Sequence, residues 1–206
     1  MNKIKTILDK VVSALSGISG IQAVVLGGSR ARGTHSSESD IDIGIYYDKD
    51  TLDLMSLNKA AKLVDDEHRD NLVVPPGEWG KWVNGGGWLV IDGYHVDLIL
   101  RDAERVKNVI SECQEGNVSA HYQTGHPHAY MNVMYMGELA VCKMLWDKQG
   151  NISALKRVAE QFCRECAVPK LRHMQYQRAD ARCHRSRPIT VPITASIVAA
   201  LIRLRI

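Results

Sequence analysis

The 206 residues carry a net charge of +3, with 45% hydrophobic and 24% charged residues, ordinary figures for a soluble globular protein of one sizeable domain, or a domain with a helical appendage. Five scattered cysteines argue against a disulfide framework and suit a reducing cytoplasm. Residues 170–206 hold eight Lys/Arg and one acid, so residues 1–169 carry 18 basic and 22 acidic groups: a mildly acidic body with a basic tail.

The opening "MNKIKTILDKVV" alternates charged and apolar residues, which argues against a secretory leader. Ile4, Ile7, Leu8, Val11, Leu15 and Ile18 recur at helical spacing, and "IQAVVLG" reads as a short buried strand after the "SGISG" break. In "DIDIGIYY" the two-residue period puts Ile41, Ile43 and Ile45 on one face and Asp40, Asp42 and Gly44 on the other. A helix is expected over Thr51–Glu67, then a short strand in "NLVV".

"PPGEWGKWVNGGG" is a loop, and "WLVIDGYHVDLIL" is a hairpin turning at Asp92-Gly93, a pair suited to a tight primed turn. A helix follows over Ala103–Cys113, and "EGNVSAHYQTGHP" marks a boundary. Beyond it the spacing predicts a long helix from Tyr130 through Leu145 and another over Ile152–Cys166. The fold class is α/β (α+β): a small mixed sheet flanked by helices, followed by a helical C-terminal region. From Pro188 to Ile202 the tail has fifteen uncharged residues, short of the ~20 needed to span a membrane.

Two aspartates inside an otherwise apolar strand need compensation, because an unpaired buried carboxylate costs several kcal/mol. Gly27, Gly28 and Ser29 end the preceding strand, where glycine lets backbone N–H groups approach an anion and serine adds a donor. Asp40 and Asp42 can hold one or two Mg²⁺ ions, hard cations that share phosphate oxygens with a nucleotide. Such a loop and metal pair suit nucleotidyl or phosphoryl transfer. Arg30 and Arg32 could neutralise phosphates, or be solvated turn charges.

The stretch "GGSRARGTHSSESDIDIGIYY" resembles the signature of the DNA polymerase beta-like nucleotidyltransferase superfamily: Gly-Ser, a spacer of about ten residues, and Asp-x-Asp on a strand, with a third acid on a later strand. Gly28-Ser29, Arg30–Ser39 and Asp40/Asp42 match it, and Asp97 in "GYHVDLILRD" is the third acid. The resemblance covers roughly residues 1 to 110. It implies a catalytic domain over residues 1–116, a helical region over 117–187 and an atypical or truncated tail over 188–206. It also implies an Mg²⁺-dependent enzyme with two ions on Asp40, Asp42 and Asp97, and a nucleotide on Gly28, Ser29, Arg30 and Arg32.

The acceptor is then expected to be a hydroxyl-bearing small molecule, and the transferred nucleoside monophosphate to be AMP, with ATP as donor. By resemblance to antibiotic nucleotidyltransferases, Glu138 would orient or deprotonate that hydroxyl; a solvated helix glutamate is the other reading. Trp79, Trp82 and Trp88 could stack on a base, sugar or acceptor ring, or close the core over the sheet edge. Trp82 is taken as the acceptor contact. His121, His126 and His128 lack dependable metal spacing, and Cys163 and Cys166 read as helix-packing thiols rather than half of a zinc site with Cys183 and His184.

Two rivals remain. One is an antitoxin-like module that nucleotidylates a partner protein; the added helices argue against it. The other is an inactive nucleotide- or RNA-binding module using the basic tail; retention of three acids argues against it, and against nucleic acid as partner. Nothing in the sequence sets the oligomeric state.

Overall fold

In a computed structural model, residues 3–122 and 129–167 are described; His126, His128, Cys183, His184 and the whole tail fall outside them, as does the side chain of Cys166. The chain runs α1 (Lys3–Leu15), β1 (Ile21–Leu26), α2 (Gly28–Arg32), β2 (Ile41–Tyr47), α3 (Leu54–Val64), β3 (Val73–Val74), β4 (Gly86–Ile91), β5 (Tyr94–Asp102) and α4 (Ala103–Gln114). There follow β6 (Ala120–His121), β7 (Tyr130–Met131), α5 (Val133–Val141), β8 (Lys143–Asp147) and α6 (Asn151–Ala167). Among the described residues no helix is long and apolar enough to cross a membrane.

Six strands form one mixed sheet in the order β3-β4-β5-β2-β1-β8, with β2 and β5 parallel and the other neighbours antiparallel. Strand alternation divides its side chains between two cores. Ile41, Ile43 and Ile45 with Val96, Leu98 and Leu100 pack on Ile7, Val11 and Leu15 of α1 and Leu57 and Ala61 of α3. The opposite face presents Ala23, Val25 and Tyr46 to α4, α5 and α6. Each fully buried aliphatic side chain of this kind stabilises the fold by about 1.5–3 kcal/mol, so the two layers hold the sheet between helices on both sides.

Local signals set the element ends. Asp53 caps α3 by accepting from the Ser56 N–H at 3.0 Å, and Asp102 caps α4 by accepting from the Arg105 N–H at 3.1 Å. Asp92 and Gly93 have φ of 51° and 78°, the primed turn expected of the β4–β5 hairpin. The helix expected over Thr51–Glu67 is shorter, because Asp65 leaves helical geometry and its buried carboxylate is drawn into an ion pair with the exposed Arg69 at 2.7 Å.

The long helix expected from Tyr130 through Leu145 is a correction. Tyr130 and Met131 pair with Ala120 and His121 in a small hairpin, and α5 ends at Val141. Cys142 is extended, and Lys143–Asp147 becomes the edge strand β8, with Val25 opposite Met144 and Leu26 opposite Lys143. Helical spacing alone missed the unpaired edge of β1, whose backbone donors and acceptors need a partner.

Candidate active site

The site begins where β1 becomes α2. The Gly27 N–H donates to the Asp42 carbonyl at 2.8 Å, so the turn is fastened to β2 beside the Asp42 carboxylate. Gly28 has φ of 57°, and a Cβ there would overlap Oδ2 of Asp42. Glycine is required twice over, by conformation and by the carboxylate occupying the place of a side chain. Ser29 follows in the first turn of α2, which Gly33 ends in the left-handed region.

The two arginines separate. Arg30 is buried, and its Nε donates to the Asp40 carbonyl at 3.0 Å while Nη2 donates to the Ser39 carbonyl at 2.5 Å. Its guanidinium thus stitches the loop of residues 34–40 to α2 and sets the entry into β2. Arg32 is exposed and lines the cavity beside Gly28 and Asp42.

The acids share one side of the sheet. Asp42 and Asp97 are direct register partners across β2 and β5, and Asp40 lies two residues before Asp42. Burial, then the neighbouring Asp40, hold the Asp42 carboxyl above its ordinary 3.8, against the pull of Arg32 and Arg30. Burial, then Asp40 and Asp42, raise Asp97 in the same way. Among the described residues no three His, Cys, Asp or Glu side chains converge as a ready-made metal centre. The donor set nevertheless fits a hard cation: acceptor-only oxygens, partly desolvated, mutually repelling and cradled against Gly28.

A cavity of about 240 Å³ opens beside these groups, between the sheet and α5. Val25, Gly44, Tyr46 and Ile99 form its floor, and Met134, Gly137, Glu138 and Val141 its far wall. Gly44 is small because a Cβ there would stand 2.8 Å from Cγ2 of Val25. At its end the Arg101 guanidinium meets Glu138 side-on: Nε donates to Oε2 at 2.9 Å and Nη2 to Oε1 at 3.0 Å. Arg101 is 7% exposed and Glu138 41%, so the pair runs from the interior to the cavity surface. Burial, the largest influence, would lower the Arg101 pKa, but the Glu138 carboxylate together with Tyr130 and Tyr135 outweighs it and keeps the guanidinium charged. Glu138 therefore lines the site with both oxygens already engaged, which neither reading of a lone helix glutamate anticipated.

Arg101 is the site residue that sequence reasoning missed. The available signal was a lone arginine in the apolar run "VDLILRD", four residues past Asp97 and so on the same strand face. Trp82, expected as an acceptor contact, does not line this cavity. It is 8% exposed, stacks on His121 at 4.2 Å and on Tyr130 at 5.6 Å, and its carbonyl accepts from the Tyr135 hydroxyl at 2.6 Å. It closes the core between the β3–β4 loop and α5. Trp88 instead stands beside the acids, 60% exposed.

A sequence model of the nucleotidyltransferase domain matches residues 4–117. No curated protein matches the chain. The matched span takes in the Gly28 turn, Asp40, Asp42 and Asp97, and with over half of its length so described the chain belongs to the nucleotidyltransferase domain family.

Proposed function

We propose that this protein transfers AMP from Mg²⁺-bound ATP to a hydroxyl of a small-molecule acceptor, releasing pyrophosphate. The observation that carries the reading is the in-register pairing of Asp42 with Asp97 next to a turn where Asp42 excludes any side chain from position 28. Asp40, Asp42 and Asp97 are the residues that would hold two Mg²⁺ ions, whose charge would neutralise the phosphates and the attacking and leaving oxygens.

The chain's own groups do the rest. Backbone N–H groups of Gly28 and Ser29, with the Ser29 hydroxyl and Arg32, hold the phosphates. Arg30 keeps Asp40 in place through its carbonyl. Asp97, in register with Asp42, accepts the acceptor's proton as the new O–Pα bond forms. The bridging Pα–O bond breaks and its electron pair leaves with pyrophosphate. Met134, Gly137 and the Arg101–Glu138 pair wall the cavity on the α5 side.

A cytoplasmic setting is supported by the odd number and scattered placing of the cysteines. The test is transfer of α-labelled nucleoside triphosphates to a panel of hydroxyl-bearing acceptors. Labelled product that needs both Mg²⁺ and Asp42 is expected; a protein that labels no acceptor and binds no triphosphate contradicts the reading.

A further inference from the structure

Trp88 sits directly opposite Asp97 across the antiparallel β4–β5 pair, so both side chains rise from the same sheet face about 5 Å apart at their Cα atoms. The row continues from Asp97 to its partner Asp42 and on to Gly27, whose N–H is bonded to Asp42. Reading across the sheet, the order is indole, acid, acid, glycine turn.

The indole is 60% exposed, a high value for the largest apolar side chain, and is backed by Trp79 at 4.7 Å between ring centroids and 30° between planes. Gly86, two residues earlier, is fixed chiefly by the β5 backbone, since a Cβ there would overlap the Leu98 carbonyl oxygen; it would also stand 2.9 Å from Cζ3 of Trp79, so its absence leaves that ring its place. α5 covers the other end of this face, over Gly44, Tyr46 and Arg101, and the cavity it makes stops at Ile99. Among the described residues the Trp88 end is left exposed.

We propose that Trp88, backed by Trp79, is the acceptor platform, stacking on the apolar C–H face of a saccharide-type ring whose rim hydroxyl reaches Asp97. This rests on the nucleotidyl-transfer reading above. With the phosphates at the Gly28 turn, Trp88 is at the far end of the row, on the Asp97 side from which the nucleophile must come. A saccharide ring combines a flat apolar face with hydroxyls at its edge, so lying on an indole presents an alcohol oxygen sideways to the neighbouring strand. A planar base carries no alcohol on its rim. In the transfer step that hydroxyl oxygen bonds to Pα, its proton passes to Asp97, and the Pα–O bond to pyrophosphate breaks.

The test uses the full chain with α-labelled ATP, Mg²⁺ and a panel of methyl glycosides and aminocyclitol glycosides, with sorbitol as a ring-free polyol. Binding of Mg²⁺-loaded α,β-methylene-ATP is measured alongside by calorimetry. Ring acceptors should be labelled and sorbitol not. Trp88→Ala should raise the acceptor KM by about tenfold or more while the analogue's Kd stays within about twofold, and Trp88→Phe should recover most of the loss. An unchanged acceptor KM in Trp88→Ala, equal labelling of sorbitol, or no labelling of any panel member by a wild type that binds the analogue would overturn the platform and leave nucleotide handling standing. Loss of analogue affinity in Trp88→Ala would overturn it too, by placing the base there. Failure of the wild type to bind the analogue in the presence of Mg²⁺ would overturn the platform together with the reading beneath it.

Discussion

Asp42 and Asp97 stand side by side in register on the parallel strands β2 and β5, with Asp40 close enough to raise both their pKa values. Three carboxylates so placed repel one another, and burial sharpens the repulsion. The fold thus maintains a site that is electrostatically unfavourable while empty.

That cost has a pH signature. The folded-state pKa of Asp42 and of Asp97 lies above the unfolded 3.8, so both favour the fold when protonated. Their stabilising effect is complete below the unfolded pKa and is lost as pH rises through the raised folded value. Asp42→Asn should therefore raise the Tm of the ligand-free protein at neutral pH, with little change below pH ~4, while reducing transfer about a thousandfold. Thermal melts across pH, paired with a labelled-nucleotide assay, check both halves.

Gly28→Ala should disturb Asp42 directly. The new methyl group overlaps the carboxylate, and a non-glycine residue at φ of 57° adds about 1–2 kcal/mol of backbone strain. Transfer should fall steeply with only a modest drop in Tm. Normal activity in Gly28→Ala would mean that Asp42 is free to move aside and that the turn does not cradle it.

Much of this site was legible because it is built from strand alternation. The two-residue period places Asp40 and Asp42 opposite Ile41 and Ile43, and the Asp92-Gly93 turn fixes which face Asp97 takes. The register that sets Asp97 against Asp42 was not legible, since it depends on pairing between strands separated by a helix and a hairpin. Nor was β8, whose Met144 and Leu145 continue the helical spacing of Val141; the free edge of β1 decided the matter. The three tryptophans look alike in sequence. Only the fold shows that Trp82 is roofed by Tyr130 and Tyr135 while Trp88 faces outward.

The Arg101–Glu138 pair was hidden for a similar reason, since it joins a strand to a helix thirty-seven residues later. Removing Glu138 leaves a buried guanidinium without its counter-charge. Glu138→Ala should cost about 2 kcal/mol, below the 3–5 kcal/mol of a fully buried pair because Glu138 is part exposed. Glu138→Gln should keep one hydrogen bond and lose less, and Arg101→Lys should not restore the side-on geometry. With Asp97 as the base, Glu138→Gln should lower Tm more than kcat; denaturant melts beside steady-state kinetics distinguish the two.

Asp65 offers a structural control remote from the proposed chemistry. Its fully buried carboxylate accepts from Arg69 Nη2 at 2.7 Å, Arg69 Nε at 3.0 Å and the Val90 N–H at 2.9 Å. The Arg69 bonds, chiefly, hold its pKa well below the ordinary carboxylate range. The stabilisation is complete above the unfolded value of 3.8 and is lost as pH falls below it toward the folded value. Asp65→Asn should lower Tm at neutral pH and flatten the acid limb of the stability profile, whereas triphosphate binding should persist wherever the variant is folded.

The central claim is that Asp42, paired with Asp97, holds the cation that carries the nucleotide. Calorimetric titration of α,β-methylene-ATP into wild type and Asp42→Asn, each with Mg²⁺ and with EDTA, tests it most directly. The account predicts that Mg²⁺ tightens binding to the wild type by about tenfold or more and leaves Asp42→Asn essentially unchanged. Equal affinities with and without Mg²⁺ in the wild type, or an undiminished Mg²⁺ effect in Asp42→Asn, would contradict it.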